Sequence, residues 1–337
     1  MDLFHDTTDE GEASFRVHIH CNTCSVVLLF ITAWSTRKSS HDALGRKVLK
    51  ASGQPAKPKV LCVVGVQTGF TRQGASLQYN YQQRRTALRQ SWFPADQESL
   101  DQLQRETSLV LRFVIGHSKL YSAEQDLSAE ARRHGGFLRL PIQEDYGSLT
   151  TKTLSFLRTA VAAWDAEYIV KVDDDVYLRI PHLRLATDQW RAMHGDYIGC
   201  MKNGPVYTDH KNRWYEHQWP LLGDKYFTHA WGTFYVLSGR IAAQIGSIPD
   251  GTLRLFSNED VTIGSWLLAL NSTHFDDRRL CETSCTGASI GVYDFPKCAG
   301  LCNPVQSLPD LHAEPACHKY AEKSLDLLPG FFDFPGR

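Results

Sequence analysis

The chain has 337 residues, of which 42% are hydrophobic and 22% are charged, which is enough apolar material for one large core or two smaller ones. Its 36 Lys and Arg residues nearly balance its 37 Asp and Glu residues, so the formal net charge is −1. A domain that binds nucleic acid usually carries a marked positive charge. The composition therefore gives no support to a nucleic-acid partner.

Three segments precede the first strong strand pattern. Residues 1–16 are acidic and polar, and we predict a disordered cytoplasmic tail. Residues 17–34 contain an apolar run shorter than the ~20 residues of a membrane-spanning helix, so they make only a marginal signal anchor. Basic residues follow this run rather than precede it, against the usual orientation rule, and a cleaved signal or an imperfect gene model is the alternative. Residues 35–58 are predicted as a stem or linker.

Strand and helix patterns alternate from Lys59 onwards. Short β-branched runs predict buried strands, and amphipathic or capped stretches predict the helices between them. The predicted strands are Lys59–Val66, Leu109–Ile115, Phe137–Ile142 and Tyr168–Val172, and the predicted helices are Gln82–Trp92, Ser122–His134 and Leu149–Trp164. This order predicts an α/β fold with a largely parallel sheet and helices on both faces, in which a ligand lies beyond the carboxyl ends of the strands.

Three consecutive carboxylates, Asp173, Asp174 and Asp175, interrupt an apolar stretch that runs from Tyr168 to Leu178. Three adjacent Asp residues inside a core would be severely destabilising unless something neutralised them. The pattern favours a strand that ends at a cleft holding a divalent cation, and hard oxygen ligands select Mg²⁺, Mn²⁺ or Ca²⁺. In an extended chain Asp173 and Asp175 would point to one side and Asp174 to the other. A solvated acidic turn is the competing interpretation.

The chain continues with a predicted helix, two strands and a long loop before a second acidic pair: Pro181–His194, Asp196–Met201, the loop Lys202–Thr228, and Ala230–Gly239. The pair is Glu259 and Asp260, at the start of a predicted helix whose cap is Ser257 or Asn258. Carboxylates in the first turn of a helix interact favourably with its dipole, so a capping role is one interpretation of the pair.

The chain contains nine cysteines, five of them in a Cys-rich part at residues 281–317: Cys281, Cys285, Cys298, Cys302 and Cys317. Four thiolates could form a structural zinc site. Disulfides are the favoured interpretation if this part of the chain is lumenal, and the odd count then leaves at least one thiol unpaired. Asn271-Ser-Thr273 is an N-glycosylation sequence, which has meaning under the same condition.

Five motifs follow one another in a characteristic order: Arg84-Arg85-x₃-Arg89-x₂-Trp92, Asp145-Tyr-x-x-Leu-Thr-x-Lys152-Thr153, Val170-Lys-Val-Asp-Asp-Asp-Val176, His229-Ala-Trp-Gly232 with Tyr235-Val-Leu-Ser238, and Asn258-Glu-Asp-Val261-x-x-Gly264. This order resembles the inverting β-1,3-galactosyltransferase (β-1,3-glycosyltransferase) family. Trp164-Asp-Ala, Asp276-Asp-Arg and the Cys-rich part resemble its plant and algal branch. The resemblance covers roughly Lys59 to Cys317.

The resemblance implies a GT-A fold: one Rossmann-like catalytic domain, here residues 59–320, with residues 321–337 as a tail. It implies transfer of a hexose from a UDP-sugar, with Mn²⁺ as cofactor, to a hydroxyl of a glycan or glycoprotein acceptor. Galactose is our preferred donor sugar, with N-acetylglucosamine and N-acetylgalactosamine as alternatives. The family also implies a single-pass type II protein of the Golgi membrane.

The resemblance also assigns acidic roles residue by residue. Asp175 is expected to bind the metal directly, with Asp173 as a further candidate ligand. Asp173 and Asp174 are otherwise expected to hold the ribose, the donor sugar or the metal's surroundings. His312 is expected to complete the metal site, with an ordinary surface histidine as the alternative. For Asp260 the expected role is that of the base that takes the proton of the acceptor hydroxyl, and Glu259 is expected to contact a sugar hydroxyl.

Other residues are expected to bind the donor. The basic face of the first helix would hold the uracil or a phosphate, unless it is merely a solvated charged face: Arg84, Arg85 and Arg89. Lys152 is expected to contact the nucleotide or to pair with an Asp. Trp231 and Gly232 are expected to line the donor-sugar pocket, although a packed core Trp is the competing interpretation.

Two rival functions use the same carboxylates. A metal-dependent phosphoester hydrolase would need only water as acceptor. An inactive carbohydrate-binding relative would keep the fold without turnover, which the intact Asp175 and Asp260 argue against.

Overall fold

A seven-stranded mixed sheet lies at the centre of the fold. The structure is a computed structural model, and it describes residues 56–71, 74, 76, 79–144 and 149–318. In chain order its strands are β1 Lys59–Gln67, β2 Leu109–His117, β3 Phe137–Gln143, β4 Asp165–Asp173, β6 Tyr197–Lys202, β7 His229–Ser238 and β8 His274–Asp276. Strands β5 Tyr177–Leu178 and β9 Gly291–Val292 form a separate two-stranded sheet.

The sheet has a parallel half and a mixed half. Its spatial order is β3-β2-β1-β4-β7-β6-β8. Strands β3, β2, β1 and β4 run parallel to one another, whereas β7 is antiparallel to both β4 and β6. Strand β8 pairs in parallel with β6. The α/β class with a mostly parallel central sheet is therefore confirmed.

Helices cover both faces of the sheet: α1 Tyr81–Arg89, α2 Gln97–Thr107, α3 Tyr121–His134, α4 Leu149–Ala163, α5 Ile180–Ala192, α6 Trp219–Leu222, α7 Gly239–Ser247, α8 Glu259–Ala269, α9 Pro304–Ala313 and α10 Pro315–His318. Sequence patterns did not predict α2, because Leu100 is its one buried residue. Its start signal is nevertheless present, since the Asp96 side chain accepts a hydrogen bond from the Ser99 amide at 2.9 Å.

Alternation along the strands divides the core into two layers. From Cys62 onwards, Cys62, Val64 and Val66 of β1 pack in one apolar cluster with α1, α2 and α5, whereas Val63 packs in the other with α4, α7 and α8. A strand in the middle of a sheet that is covered on both faces buries side chains in both directions. This explains why β1 reads as a nearly continuous apolar run.

Three disulfides close the C-terminal part of the described chain: Cys200–Cys281, Cys285–Cys317 and Cys298–Cys302. The preference for disulfides over a zinc site is confirmed for these six cysteines. Cys62 is a free and buried thiol, whose pKa is raised because burial disfavours the thiolate. It agrees with the expectation of at least one unpaired cysteine.

The predictions for the ends of the chain concern residues outside the described ones. The tail 1–16, the signal anchor 17–34, residues 35–55 of the stem and the tail 321–337 all fall there. Within the part that is described, no helix has both the length and the apolar character needed to cross a membrane. The predicted domain boundaries stay predictions.

Gly65 of β1 marks the closest contact between the sheet and α4. A Cβ atom at this position would lie 2.2–2.8 Å from three ring carbons of the fully buried Phe156. We expect Gly65→Ala to lower the free energy of unfolding by about 1–3 kcal/mol, because the ring cannot move without overpacking the core. Urea denaturation would measure the loss.

Gly204→Ala is the matched control, because a Cβ there meets no atom within 4 Å. Its stability should stay within about 0.5 kcal/mol of the wild type. Equal unfolding midpoints for the two variants would contradict the proposed contact.

Candidate active site

The acidic triplet lies where β4 ends, beside the carboxyl end of β1. Asp173 is the last residue of β4, and the amide of Asp174 donates a hydrogen bond to the carbonyl of Gln67 at 3.2 Å. The chain turns immediately after Asp173. The predicted location at the carboxyl edge of the parallel strands is therefore confirmed.

The predicted alternation of the three side chains is wrong. One nitrogen of Arg84, Nη1, donates to Asp174 Oδ1 at 2.6 Å and also to Asp175 Oδ2 at 3.2 Å. Two consecutive side chains can reach one guanidinium because the backbone is a turn, not an extended strand, at this point. The Arg84 cation thus holds the second and third carboxylates of the triplet together.

Asp174 is fixed by the protein itself. Its Oδ2 atom accepts a hydrogen bond from the Thr68 hydroxyl at 2.6 Å, and its Oδ1 atom accepts from Arg84. The residue is only 2% exposed. A buried carboxylate with both oxygens bonded in this way anchors the turn.

Asp175 is held much less completely. Its Oδ2 atom accepts a hydrogen bond from Arg84, but its Oδ1 atom is buried and has no hydrogen-bond partner. Burial raises the pKa of Asp175 to about 7, against the lowering effect of Arg84 and with a further contribution from Asp173 and Asp174. A buried carboxylate oxygen without a donor is costly, and this makes Asp175 the strongest candidate ligand of the triplet.

Lys171 connects the triplet to the neighbouring strand β7. Its ammonium donates to Asp173 Oδ1 at 2.5 Å and also binds the carbonyl of Gly232. Burial alone would lower the pKa of Lys171, but the carboxylates of Asp173, Glu259 and Asp175 raise it above its usual value. The cation is therefore shared between both acidic groups of the site.

Glu259, the first residue of α8, points into the same region. Its Oε1 atom accepts hydrogen bonds from the hydroxyl of Tyr235 at 2.7 Å and from the hydroxyl of Thr153 at 2.8 Å. Burial raises the pKa of Glu259, although Lys171 and the two hydroxyl donors oppose the rise. Two neutral donors and a nearby ammonium fix the side chain, and part of its capacity to accept hydrogen bonds stays unused.

Asp260 lies in a different electrostatic environment from Glu259. Its Oδ2 atom is 2.7 Å from the ammonium of Lys202 and 3.9 Å from Nε2 of His229. Burial opposes ionisation, yet Lys202, His229 and the amide of Val261 together hold the pKa of Asp260 below its usual value. The carboxylate is therefore ionised at neutral pH, as a base must be.

Lys202 also covers the ring of Trp231, with its ammonium 3.9 Å from the ring centroid. The ring of Phe295 packs edge-on against Trp231, with 5.1 Å between the ring centroids. Trp231 is half-buried rather than a core residue. It therefore forms part of the wall beside Asp260.

Gly232 brings the two acidic groups together. Its carbonyl binds Lys171, the partner of Asp173, and a Cβ atom at its position would lie 3.3 Å from Asp260 Cβ and 3.4 Å from Glu259 Oε2. The antiparallel pairing of β4 with β7 sets this arrangement. Carboxylates that are 86 positions apart in the sequence, at 173 and 259, thus share Lys171 and Gly232.

The other two predicted donor-binding arginines have a partner of their own. Arg85 forms a two-pronged salt bridge with Glu130 of α3, at 2.9 and 2.7 Å, and Arg89 Nη1 reaches the same carboxylate at 2.7 Å. Arg85 is 4% exposed and Glu130 is 8% exposed, so the solvated-face interpretation is wrong. The contacts of both arginines are with the fold rather than with the acidic triplet.

Lys152 of α4 also has protein partners. Its ammonium lies 2.8 Å from Oε1 of Glu144 and binds the carbonyl of Thr68. The expectation of pairing with a carboxylate is met, but by a Glu instead of an Asp. Because Thr68 also donates to Asp174, Lys152 supports the loop against which the triplet packs.

His312 of α9 does not join the acidic residues. Its Nδ1 atom is 3.0 Å from the hydroxyl of Tyr177, and its ring lies 4.8 Å from that of His318. Within the described parts of the chain, no group of three or more His, Cys, Asp or Glu side chains is arranged to hold a metal ion. The predicted combination of Asp173, Asp175 and His312 is therefore not assembled in this structure.

A cavity of about 440 Å³ lies at the opposite edge of the sheet, where β1 and β4 begin. It is lined by Lys59, Val60, Leu61, Thr107, Ser108, Asp165, Ala166, Glu167 and Arg184. Ligands of open α/β sheets bind beyond the carboxyl ends of the strands. This cavity therefore lies at the end of the strands where such a ligand is not expected, and the chemistry of the side chains is the better guide to the active site.

Sequence reasoning missed Lys171, Lys202, Tyr235 and Glu130 as parts of this arrangement. Lys171 and Tyr235 stand inside motifs that the sequence shows, so their positions could have been marked. Lys202 could have been found as the cation that ends strand β6 at the same edge. The sequence carries no local signal that Glu130 would take up Arg85 and Arg89.

Residues 83–278 match the galactosyltransferase family. "Probable beta-1,3-galactosyltransferase 13" of Arabidopsis thaliana is 42% identical over 284 residues, covering 84% of this chain and 80% of that protein. "Probable beta-1,3-galactosyltransferase 12" of the same organism is 46% identical over 261 residues, 77% of this chain and 68% of that protein. The chain therefore belongs to the galactosyltransferase family, and the expected family and enzyme class are confirmed.

Two solved structures are similar at a greater distance. S. aureus TarS covers 60% of this chain and 53% of its own, with 13% sequence identity and a TM-score of 0.32. A 4-diphosphocytidyl-2C-methyl-D-erythritol synthase from Anaerococcus prevotii has 7% identity and a TM-score of 0.34, over 64% of this chain and 87% of its own.

The raised pKa of Asp175 makes the stability of the metal-free protein depend on pH. Folded Asp175 binds its proton more tightly than the unfolded residue does, with a pKa of about 7 against a usual 3.8. Stability should therefore fall as the pH rises through this window. We expect Asp175→Asn, measured in chelator-treated buffer, to raise the free energy of unfolding at pH 8 by on the order of 2 kcal/mol and to leave it unchanged near pH 4.

Asp250→Asn serves as the control, because Asp250 is 85% exposed and its pair with Arg158 is a surface contact. This variant should follow the wild type at both pH values. An Asp175→Asn protein that is less stable than the wild type at pH 8 would show that Asp175 is ionised and stabilised in the fold.

Proposed function

We propose that the chain transfers galactose from UDP-galactose to a hydroxyl group of a glycan acceptor, forming a β-1,3 linkage with inversion at the anomeric carbon. The names of the Arabidopsis relatives support the sugar and the linkage. The observation that carries the proposal is the meeting of the acidic triplet with the pair Glu259 and Asp260 at Lys171 and Gly232. UDP-N-acetylglucosamine and UDP-N-acetylgalactosamine are the alternative donors.

Asp260 is the proposed catalytic base. An inverting displacement needs a carboxylate on the face of the sugar opposite the leaving group, where it takes the proton of the attacking hydroxyl. Asp260 has the lowered pKa that keeps it ionised, and Lys202 supplies the positive charge that maintains it. The acceptor hydroxyl would approach the carboxylate beside Trp231, whose half-buried ring offers an apolar surface to a sugar.

Asp175 and Asp173 are the proposed metal ligands, and Mn²⁺ is the proposed metal. The partnerless Oδ1 atom of Asp175 and the hard carboxylate donors fit a divalent cation. When bound, such a cation would stabilise the negative charge that develops on the departing diphosphate. Arg84 would hold Asp175 in place from its other oxygen.

The remaining predicted residues divide into two groups. Gly232, Trp231 and Glu259 are proposed to line the donor-sugar pocket. Gly232 lies against Glu259, and the ring of Trp231 lies against Lys202, the partner of Asp260. Asp174 and Lys152 are proposed to support the nucleotide side through Thr68. Arg85 and Arg89 are left out of the donor site, because Glu130 binds both guanidinium groups.

Asp260→Asn is the decisive substitution. We expect a loss of about 10²–10⁴-fold in kcat for galactosyl transfer, because the amide cannot accept the proton. Binding of UDP should be unchanged, since the substitution leaves the triplet intact. Transfer to a panel of glycan acceptors, followed by mass spectrometry with and without EDTA, measures the turnover, and calorimetry measures the binding.

Asp126→Asn is the matched control, an exposed acidic residue of helix α3. Wild-type hydrolysis of UDP-galactose to galactose 1-phosphate and UMP, with no glycosylated acceptor, would favour the phosphoester hydrolase. Tight UDP binding by the wild type without turnover of any UDP-sugar would favour an inactive carbohydrate-binding protein. Full activity of Asp260→Asn would remove Asp260 from the role of base.

A lumenal Golgi location, with residues 17–34 as a type II membrane anchor, is the second part of the proposal. It is supported by the three disulfides, which persist in oxidising compartments. Asn271 of the glycosylation sequence is also exposed.

Expression of the full chain in plant cells tests the location. We expect endoglycosidase to increase the electrophoretic mobility of the wild type but not that of Asn271→Gln, because Asn271 carries the glycan. A Ser272→Ala variant keeps the acceptor sequence and should behave as the wild type. Wild-type protein that is unglycosylated and spread through the cytosol would contradict the location.

A further inference from the structure

A short disulfide-closed loop, residues 294–302, connects β9 to α9 and lies against the acidic triplet. The Cys298–Cys302 bond closes it. Asp294 braces its middle and its end, since its carbonyl accepts from the amide of Cys298 at 2.9 Å and its Oδ2 atom accepts from the amide of Cys302 at 2.7 Å. A loop braced in this way has few conformations available.

The loop touches Asp175 at two points. The amide of Leu301 donates to the carbonyl of Asp175 at 2.7 Å, which fixes the backbone of the turn. Gly300 is buried against the side chain, and a Cβ atom there would lie 2.1 Å from Asp175 Oδ1 and 2.2 Å from its Cγ. Only a glycine leaves room for the carboxylate in its present position.

The same loop also contacts the strand on the other side of the site. The hydroxyl of Thr233 in β7 donates to the carbonyl of Ala299, and the ring of Phe295 packs edge-on against Trp231 at 5.1 Å. The loop therefore bridges the end of β4 and the start of β7. These are the two strands that carry the proposed metal and donor-sugar residues.

We propose that the 294–302 loop positions the Asp175 carboxylate by shape, and that Gly300 is a positioning residue for metal binding. This rests on the proposed function. Gly300 places no donor on Asp175 Oδ1, and no other group bonds to that buried atom. The loop thus fixes where the oxygen points while leaving its lone pairs free for a cation.

Gly300→Ala tests the role of the loop. Gly300 has no left-handed backbone, so the added methyl acts through its contact with Asp175 and not through strain. We expect the dissociation constant for Mn²⁺ in the presence of UDP, measured by electron paramagnetic resonance, to increase about 10–100-fold, the usual effect of disturbing a group that supports a metal ligand. A crystal structure of the metal-free variant should show the Asp175 carboxylate turned away from residue 300.

Gly287→Ala is the matched control in the same Cys-rich part, because a Cβ there meets no atom within 4 Å. Its Mn²⁺ affinity and kcat should equal those of the wild type. A merely structural role for Gly300 would reduce the fraction of folded protein and leave the dissociation constant of the folded fraction unchanged. Such a result, or an unmoved Asp175 in the crystal, would overturn the inference.

The double substitution Cys298→Ser with Cys302→Ser gives an independent test, because it opens the loop without adding bulk near Asp175. We expect weaker Mn²⁺ binding and an unchanged KM for the acceptor. If the wild type transfers galactose and both loop variants bind Mn²⁺ as tightly as it does, the role of the loop is contradicted while the proposed function stands. If the wild type binds no Mn²⁺, the proposed cofactor is contradicted. The position of Asp175 in crystal structures of the wild type and of Gly300→Ala then decides the inference.

Discussion

The site depends on the buried ammonium of Lys171. It lies between Asp173 and the carbonyl of Gly232, and so joins the end of β4 to β7 next to the carboxylates at the start of α8. Without a cation at this point, the charges of Asp173 and Glu259 would repel one another in a poorly hydrated environment. Lys171 thereby makes it possible for one sheet edge to carry both acidic groups.

The balance of charge at this edge is incomplete. Five carboxylates, those of the triplet and of the pair at 259 and 260, meet the cations of Lys171, Arg84 and Lys202. The imbalance falls on Asp173, Asp175 and Glu259, whose pKa values burial raises. The pKa of Asp260 is not raised, because Lys202 forms an ion pair with its carboxylate. Unequal distribution of three cations thus produces one ionised carboxylate suited to a base and one under-neutralised carboxylate suited to a cation.

Much of this could be predicted from the sequence. The β-branched runs of β1 and β4 predicted the parallel half of the sheet. The three carboxylates after an apolar strand predicted which edge of the sheet carries the site. The sequence did not predict α2, which buries a single leucine, nor the turn that brings Asp174 and Asp175 to one guanidinium. Contacts such as Glu130 with Arg85, or Gly300 with Asp175, join distant parts of the chain, and no local pattern announces them.

The disulfides of the C-terminal part are best understood together with this edge of the sheet. A carboxylate oxygen that is buried and has no donor costs free energy, so the surrounding structure must hold it by constraint rather than by attraction. The Cys298–Cys302 loop applies that constraint to Asp175, and Cys200–Cys281 ties β6, which carries Lys202 at its end, to the segment that follows β8. Cross-links close to both the proposed metal ligand and the partner of the proposed base offset a cost that the charged site itself creates. The Cys-rich part thus serves the geometry of the site as well as the stability of the fold.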